Sequence, residues 1–78
     1  MSNQDKPKRL AQRVLTALED QDRSQLWLSK QSGIPYATLY RNLRATPEQF
    51  KLEQLTKIET ALGLELGSLA FEVAAVAA

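Results

Sequence analysis

The side chains best suited to molecular recognition in this chain of 78 residues are hydrogen-bond donors within residues 25–44, QLWLSKQSGIPYATLYRNLR. If the part after Gly33 is helical, Tyr36, Tyr40, Arg41 and Arg44 fall on one arc, at about 100° per residue. Phenol hydroxyls and guanidinium groups donate hydrogen bonds to phosphate oxygens and to base edges. A turn followed by a polar, aromatic and basic helix is typical of an element that enters the major groove of DNA.

The composition argues against catalysis. The chain has no cysteine and no histidine, so it lacks the usual nucleophile, general base and metal ligands. An enzyme would depend on carboxylates or lysine, and we interpret Glu53, Glu59 and Glu65 as solvated helix positions. We therefore expect no enzymatic activity, no catalytic residue, no cofactor, no metal and no small-molecule ligand.

Length and hydropathy predict a single all-α domain. A chain this short has a marginal core, and a helical bundle is the economical way to build one. No apolar run approaches the length of a membrane span, and the N-terminus is polar and charged, unlike a secretory signal. We expect a cytoplasmic protein that does not contact membranes.

The formal net charge of +1 is unevenly distributed. Residues 1–44 carry eight basic and four acidic side chains, which gives +4, and residues 45–78 carry two basic and five acidic ones, which gives −3. Such asymmetry favours one surface that meets a polyanion, although chance clustering on a solvated surface is the alternative.

Hydrophobic periodicity predicts five helices, at about residues 8–19, 25–32, 35–44, 52–62 and 66–70. Ser24 is the expected N-cap of the second helix. Gly33 and Pro35 each break the helical path after it, which predicts a tight turn. Thr46 and Gln49 match a capping box. The predicted core consists of Leu10, Val14, Leu18, Leu28, Ile34, Leu39, Leu43, Leu52, Leu55, Ile58, Leu62, Leu66 and Leu69.

The two ends of the chain are expected to differ from this domain. Residues 1–7 lack periodicity and predict a flexible basic arm, which leaves residues 8–70 as the domain. The tail, residues 71–78, could extend the fifth helix, pair with a second subunit, begin a linker or fray.

Residues 24–69 resemble the Cro/cI-type (XRE-like) helix-turn-helix domains of phage repressors and bacterial regulators. The resemblance rests on Ser24-Gln25, Leu28, Gly33-Ile34 and Thr38-Leu39, and it continues through residues 51–69, KLEQLTKIETALGLELGSL. The run GIPYATLYR, residues 33–41, is also similar to lac-type repressors. Three departures are Ser29 where the family prefers alanine, Ser32 in place of an apolar residue, and Pro35 in place of a capping serine. Trp27 occupies a position that is often exposed in this family.

The resemblance implies a five-helix lambda-repressor-like fold and a sequence-specific transcriptional repressor of phage type that binds a double-stranded DNA operator. Its third helix would lie in the major groove. Family members usually dimerise, so that two half-sites lie about 34 Å apart. We therefore expect a homodimer through the fifth helix and the tail, with a monomeric fragment as the alternative.

Four residues are predicted to read bases. Arg41 is expected to donate two hydrogen bonds to guanine, the alternatives being a phosphate contact or a solvated arginine. Tyr36 and Ala37 lie at the helix N-terminus, which in the family goes deepest into the groove. Ala37 would touch a thymine methyl group, and Tyr36 would meet a base edge or phosphate unless the core partly buries it. Tyr40 is expected either to contact DNA or to pack.

Seven further residues are predicted to contact phosphates. Gln25 resembles the family's first residue of the second helix, where side chain and backbone amide grip a phosphate. The arm would follow the DNA backbone or enter the minor groove, unless it only solubilises the chain. The remaining candidates are Thr38, Asn42, Arg44, Lys6, Lys8 and Arg9.

Two other functions fit the same sequence. An excisionase or an autoregulating antitoxin would use the same DNA-binding surface for a different purpose. A protein-interaction module of this fold would instead use Trp27 and the tyrosines to bind a partner and would not bind DNA.

Overall fold

The protein is all-α throughout residues 5–69, the part of the chain that the computed structural model describes, with side chains described from Arg9 onward. Its helices are α1 (Asp5–Asp20), α2 (Gln25–Ser32), α3 (Tyr36–Arg44) and α4 (Leu52–Leu62), and a 3₁₀ turn spans Pro47–Gln49. This confirms the predicted all-α class. None of the helices within these residues is long and apolar enough to cross a membrane.

The predicted helix bounds hold closely for α2, α3 and α4 but not for α1. That helix begins at Asp5 and not near residue 8, so the last three residues of the predicted arm are helical. Of the predicted fifth helix at 66–70, Leu66 and Gly67 form a turn and Ser68 and Leu69 have helical backbone, while Ala70 and the tail at 71–78 lie outside the described residues.

The core forms where α2 packs against α3 and α4, and where α1 packs against α4 and the 3₁₀ turn. Every predicted core residue is buried except Leu52 and Leu66, each of which is 68% exposed. Leu52 is the first residue of α4, at the margin of the core, and Phe50 before it is buried in its place. Leu66 lies in the turn between α4 and Leu69, where Leu69 and the half-buried Leu64 make the apolar contacts.

Glu59 contradicts its interpretation as a solvated helix residue, because its side chain is only 1% exposed. Its carboxylate accepts hydrogen bonds from the backbone amides of Gly67, at 3.0 Å, and Leu69, at 2.8 Å. A buried carboxylate is tolerated only when its oxygens are bonded. The side chain therefore closes the loop that follows α4 and holds Leu69 in the core.

Another hydrogen bond joins the loop after α1 to the C-terminal end of α4. Gln21, in the loop after α1, donates from Nε2 to the carbonyl oxygen of Leu62 at 2.8 Å. That carbonyl is at the last residue of α4, where helix carbonyls have no partner inside the helix. The bond fixes α4 relative to α1.

We expect Glu59→Ala to lower the free energy of unfolding by about 3 kcal/mol, because it leaves two backbone amides without their charged acceptor. Urea denaturation followed by circular dichroism would measure the loss. The matched control is Glu53→Ala, which removes a carboxylate that is 78% exposed and lies 3.8 Å from Lys57. That change should cost less than about 0.5 kcal/mol. Equal losses in the two variants would contradict the role assigned to Glu59.

Candidate nucleic-acid interface

A short, sharply defined turn joins α2 to α3. Ser24 caps the start of α2, its hydroxyl accepting from the amide of Trp27 at 3.0 Å. At the other end Gly33 adopts a left-handed conformation, with φ of 77°, and its amide donates to the carbonyl of Ser29 at 2.9 Å. Only glycine takes this conformation readily, so the chain leaves α2 at a fixed angle. The predicted N-cap and turn are confirmed.

Two serine hydroxyls hydrogen-bond to the backbone of the turn. Ser29 donates from Oγ to the carbonyl oxygen of Ile34 at 2.6 Å, and the Ser32 hydroxyl accepts from the amide of Ile34 at 3.3 Å. Both backbone groups of Ile34 are thereby satisfied while its side chain is buried. These are the two positions at which the sequence departs from the resembled family in favour of serine. The hydroxyls fix the approach to α3, whose N-cap residue, Pro35, makes no side-chain cap.

One side of α3 is anchored in the core. Leu39 is 0% exposed and Leu43 is 4% exposed, as the sequence predicted. Asn42 is also buried, at 2% exposed, and its Oδ1 accepts from the hydroxyl of Thr46 at 3.2 Å. Its predicted phosphate contact is therefore wrong, because a side chain enclosed by the protein does not reach a DNA strand. The capping box predicted for Thr46 is also wrong, because its side chain makes no hydrogen bond that caps the 3₁₀ turn.

The remaining surface of α3 is solvent-facing. Residues 36, 37, 40, 41 and 44 are exposed, and Thr38 is half-buried. At about 100° per residue, Ala37, Arg41 and Arg44 point away from the buried side, Tyr36 and Tyr40 lie on one flank, and Thr38 lies on the other. The structure therefore brings together all four residues predicted to read bases.

Three side chains on this surface contact one another in succession, Tyr36 with Tyr40 and Tyr40 with Arg44. The rings of Tyr36 and Tyr40 stack, with centroids 6.0 Å apart and planes inclined by 29°. The Arg44 guanidinium lies 5.8 Å from the centroid of the Tyr40 ring, and its Nη1 donates to the Tyr40 hydroxyl at 2.8 Å. Sequence reasoning missed this hydrogen bond, although the four-residue spacing would have revealed it.

The residues outside α3 that were predicted to contact phosphates differ in their exposure. Gln25 lies half-buried at the start of α2, in a cleft that it shares with Leu15, Tyr40, Leu43 and Arg44. Its Oε1 is buried and accepts no hydrogen bond from the described residues. Arg9 is exposed on α1. The side chains of Lys6 and Lys8 lie outside the described part of the chain.

Trp27 belongs largely to the core. It is half-buried and packs against the core cluster, and the guanidinium of Arg23 lies 4.8 Å from the centroid of its ring. The arginine covers the outer face of the indole, a favourable cation–π arrangement. Trp27 is thus less available to a protein partner than an exposed tryptophan would be.

The segment that forms α2, the turn and α3 carries only basic charges. Between Asp22 and Glu48 the sequence contains no acidic residue, while it contains Arg23, Lys30, Arg41 and Arg44. Fixed positive charge of this kind attracts polyanions and speeds their association. The described residues contain no cluster of three carboxylates that could hold a metal ion.

Comparison with known proteins gave no match to any family model, curated protein or solved structure.

We expect Ser29→Ala to lower the free energy of unfolding by about 1 kcal/mol, since it removes a partly buried hydrogen bond to Ile34. Thr56→Ala is the matched control, because the Thr56 hydroxyl also donates to a backbone carbonyl, at 3.1 Å, but on the exposed face of α4. Thermal and urea unfolding of both variants would compare them. If Ser29→Ala proved no more costly than Thr56→Ala, the hydroxyl would not be securing the turn.

Proposed function

We propose that this protein is a sequence-specific double-stranded DNA-binding transcriptional repressor with a lambda-repressor-like helix-turn-helix fold, whose α3 enters the major groove. The observation that carries the proposal is the division of α3 into two sides. Leu39 and Leu43 hold one side in the core, and the other offers two tyrosines and two arginines to solvent with no acidic residue beside them on the helix.

The dimensions of a helix and of the major groove support this assignment. An α-helix with its side chains is about 10–12 Å across, and the major groove of B-DNA is about 12 Å wide. A single helix therefore fills the groove, with the side chains opposite its anchored face at the bases and its flanks against the two strands. Ala37 and Arg41 occupy the base-facing line.

Arg41 is the principal base-reading residue in this proposal. It is exposed, and its guanidinium matches the O6 and N7 acceptors of guanine in a bidentate arrangement. Ala37 offers a methyl group to a thymine methyl, and Tyr36 offers a hydroxyl from the first residue of α3. Thr38, on the flank away from the tyrosines, donates to a phosphate.

A second copy of the chain completes the binding unit. One copy presents a single helix and four basic residues in this region, which supports only moderate affinity. Two copies related by a two-fold axis would read two half-sites about 34 Å apart along the duplex. Bound in this way to a promoter, the dimer would repress transcription by excluding polymerase.

Selection of duplexes from a random-sequence pool, at a stated salt concentration, would test this function. We expect the recovered duplexes to share a motif of two related half-sites. Arg41→Ala should weaken binding to such a duplex by about 1–3 kcal/mol and leave binding to a scrambled duplex nearly unchanged, because a lost base contact affects only the matching sequence.

The charge control for that variant is Lys57→Ala, which removes one cation from the exposed surface of α4. It should leave sequence preference unchanged. Recovery of no common motif would refute sequence-specific binding. Equal weakening of the selected and scrambled duplexes by Arg41→Ala would make Arg41 a phosphate contact.

A further inference from the structure

We infer that Tyr40 and Arg44 form a preorganised clamp for one DNA phosphate, so that Tyr40 positions the protein on the strand and does not read a base. This inference rests on the proposed function and divides its surface into two parts. The Arg44 side chain turns toward the Tyr40 hydroxyl, so the phosphate-binding pair lies over the flank of α3 beside Gln25, and base reading is left to Ala37 and Arg41.

The first support is the direction of the hydrogen bond between the two side chains. Arg44 donates to the Tyr40 hydroxyl at 2.8 Å, so this oxygen acts as an acceptor and its own proton is left to donate elsewhere. A guanidinium carries five N–H donors and spends one here. Neither group meets an acidic partner among the described residues. The pair thus keeps two kinds of donor for an anion.

The second support is that both side chains are already held in place. The Tyr40 ring stacks on Tyr36 at 6.0 Å, and the Arg44 guanidinium lies 5.8 Å from the Tyr40 ring. An exposed arginine normally loses considerable rotamer freedom when it binds. Here part of that cost is met before the ligand arrives, which is how preorganisation improves affinity.

The third support is the position of the pair relative to the rest of α3. Tyr40 lies about 100° around the helix from Arg41, on the flank that faces the start of α2. Tyr40 and Arg44 line one cleft with Gln25, over an apolar floor of Leu15 and Leu43. With Arg41 at the bases, this flank faces the wall of the groove, which is a sugar–phosphate strand.

A phosphate diester oxygen suits these donors. The diester has one negative charge shared by its two free oxygens, so the phenol proton and a guanidinium N–H can each be donated to one of them. A base edge offers only neutral acceptors, so it would leave the guanidinium without the opposite charge that a phosphate supplies. The clamp therefore contributes affinity that does not depend on sequence.

The test compares three variants on two duplexes, one selected from the random pool and one scrambled version of equal length and composition, over a series of salt concentrations. Tyr40→Phe keeps the stacked ring and removes only the hydroxyl. We expect it to weaken both duplexes about equally, by roughly tenfold, with the salt dependence unchanged because no charge is lost.

Arg44→Gln should also weaken both duplexes, and it should reduce the slope of log affinity against log salt by about 1, because one phosphate is no longer neutralised. Lys57→Gln, the charge control on α4, should leave both affinities and the slope unchanged. The double variant Tyr40→Phe/Arg44→Gln should lose less than the sum of the two single losses, since the side chains act as a unit.

Three results would overturn the clamp. Tyr40→Phe could weaken only the selected duplex, which would make Tyr40 a base-reading residue, or it could weaken neither duplex. The losses in the double variant could instead add. Failure of the proposed function looks different, because the wild-type protein would then bind neither duplex, which would remove the clamp as well, or bind both equally, in which case equal losses from Tyr40→Phe would still support the clamp.

Discussion

Burial of Leu39 and Leu43 is the constraint on which the proposed binding surface depends. A helix of nine residues is not stable by itself in water, so α3 exists because those two side chains are enclosed by the core. Their spacing of four residues fixes the rotation of the helix about its axis. That rotation decides that Arg41 faces solvent and that Asn42 does not.

The surroundings of α3 turn this anchor into a defined surface. Gly33 sets the direction in which the chain leaves α2, and the hydroxyls of Ser29 and Ser32 hold the backbone of Ile34 just before α3 begins. On the outer surface, the hydrogen bond between Arg44 and Tyr40 orders side chains that would otherwise be mobile. The proposed site thus combines a fixed helix with ordered donors, an arrangement that would lower the cost of binding an extended polyanion.

Local patterns made most of the fold predictable. Leucines at helical spacing located the helices, Ser24 marked the start of α2, and Gly33 marked its end, because each of these signals acts within a few residues. The exposed residues of α3 followed from the same arithmetic. Once the buried stripe of α3 was located, helical spacing alone predicted that the other side of the helix is exposed. That side carries Tyr36, Ala37, Tyr40, Arg41 and Arg44.

The errors arose where contacts made outside the helix that carries the residue decide its burial. Glu59 looked like a surface residue because its partners, the amides of Gly67 and Leu69, belong to a loop whose path was not known from sequence. Asn42 was assigned to the wrong side because its bond to Thr46 depends on how the chain folds back after α3. Leu52 fits the helical stripe, yet it lies at the margin of the core, where periodicity alone does not predict burial.

The most direct test of the account is a map of backbone amide chemical shifts during titration of the protein with a duplex recovered by selection. The largest changes should fall on residues 36–41 and 44, with smaller ones at Gln25 at the start of α2, because these line the surface assigned to DNA. Changes centred on the exposed face of α4, with α3 unaffected, would show that the duplex binds elsewhere and that α3 does not enter the groove.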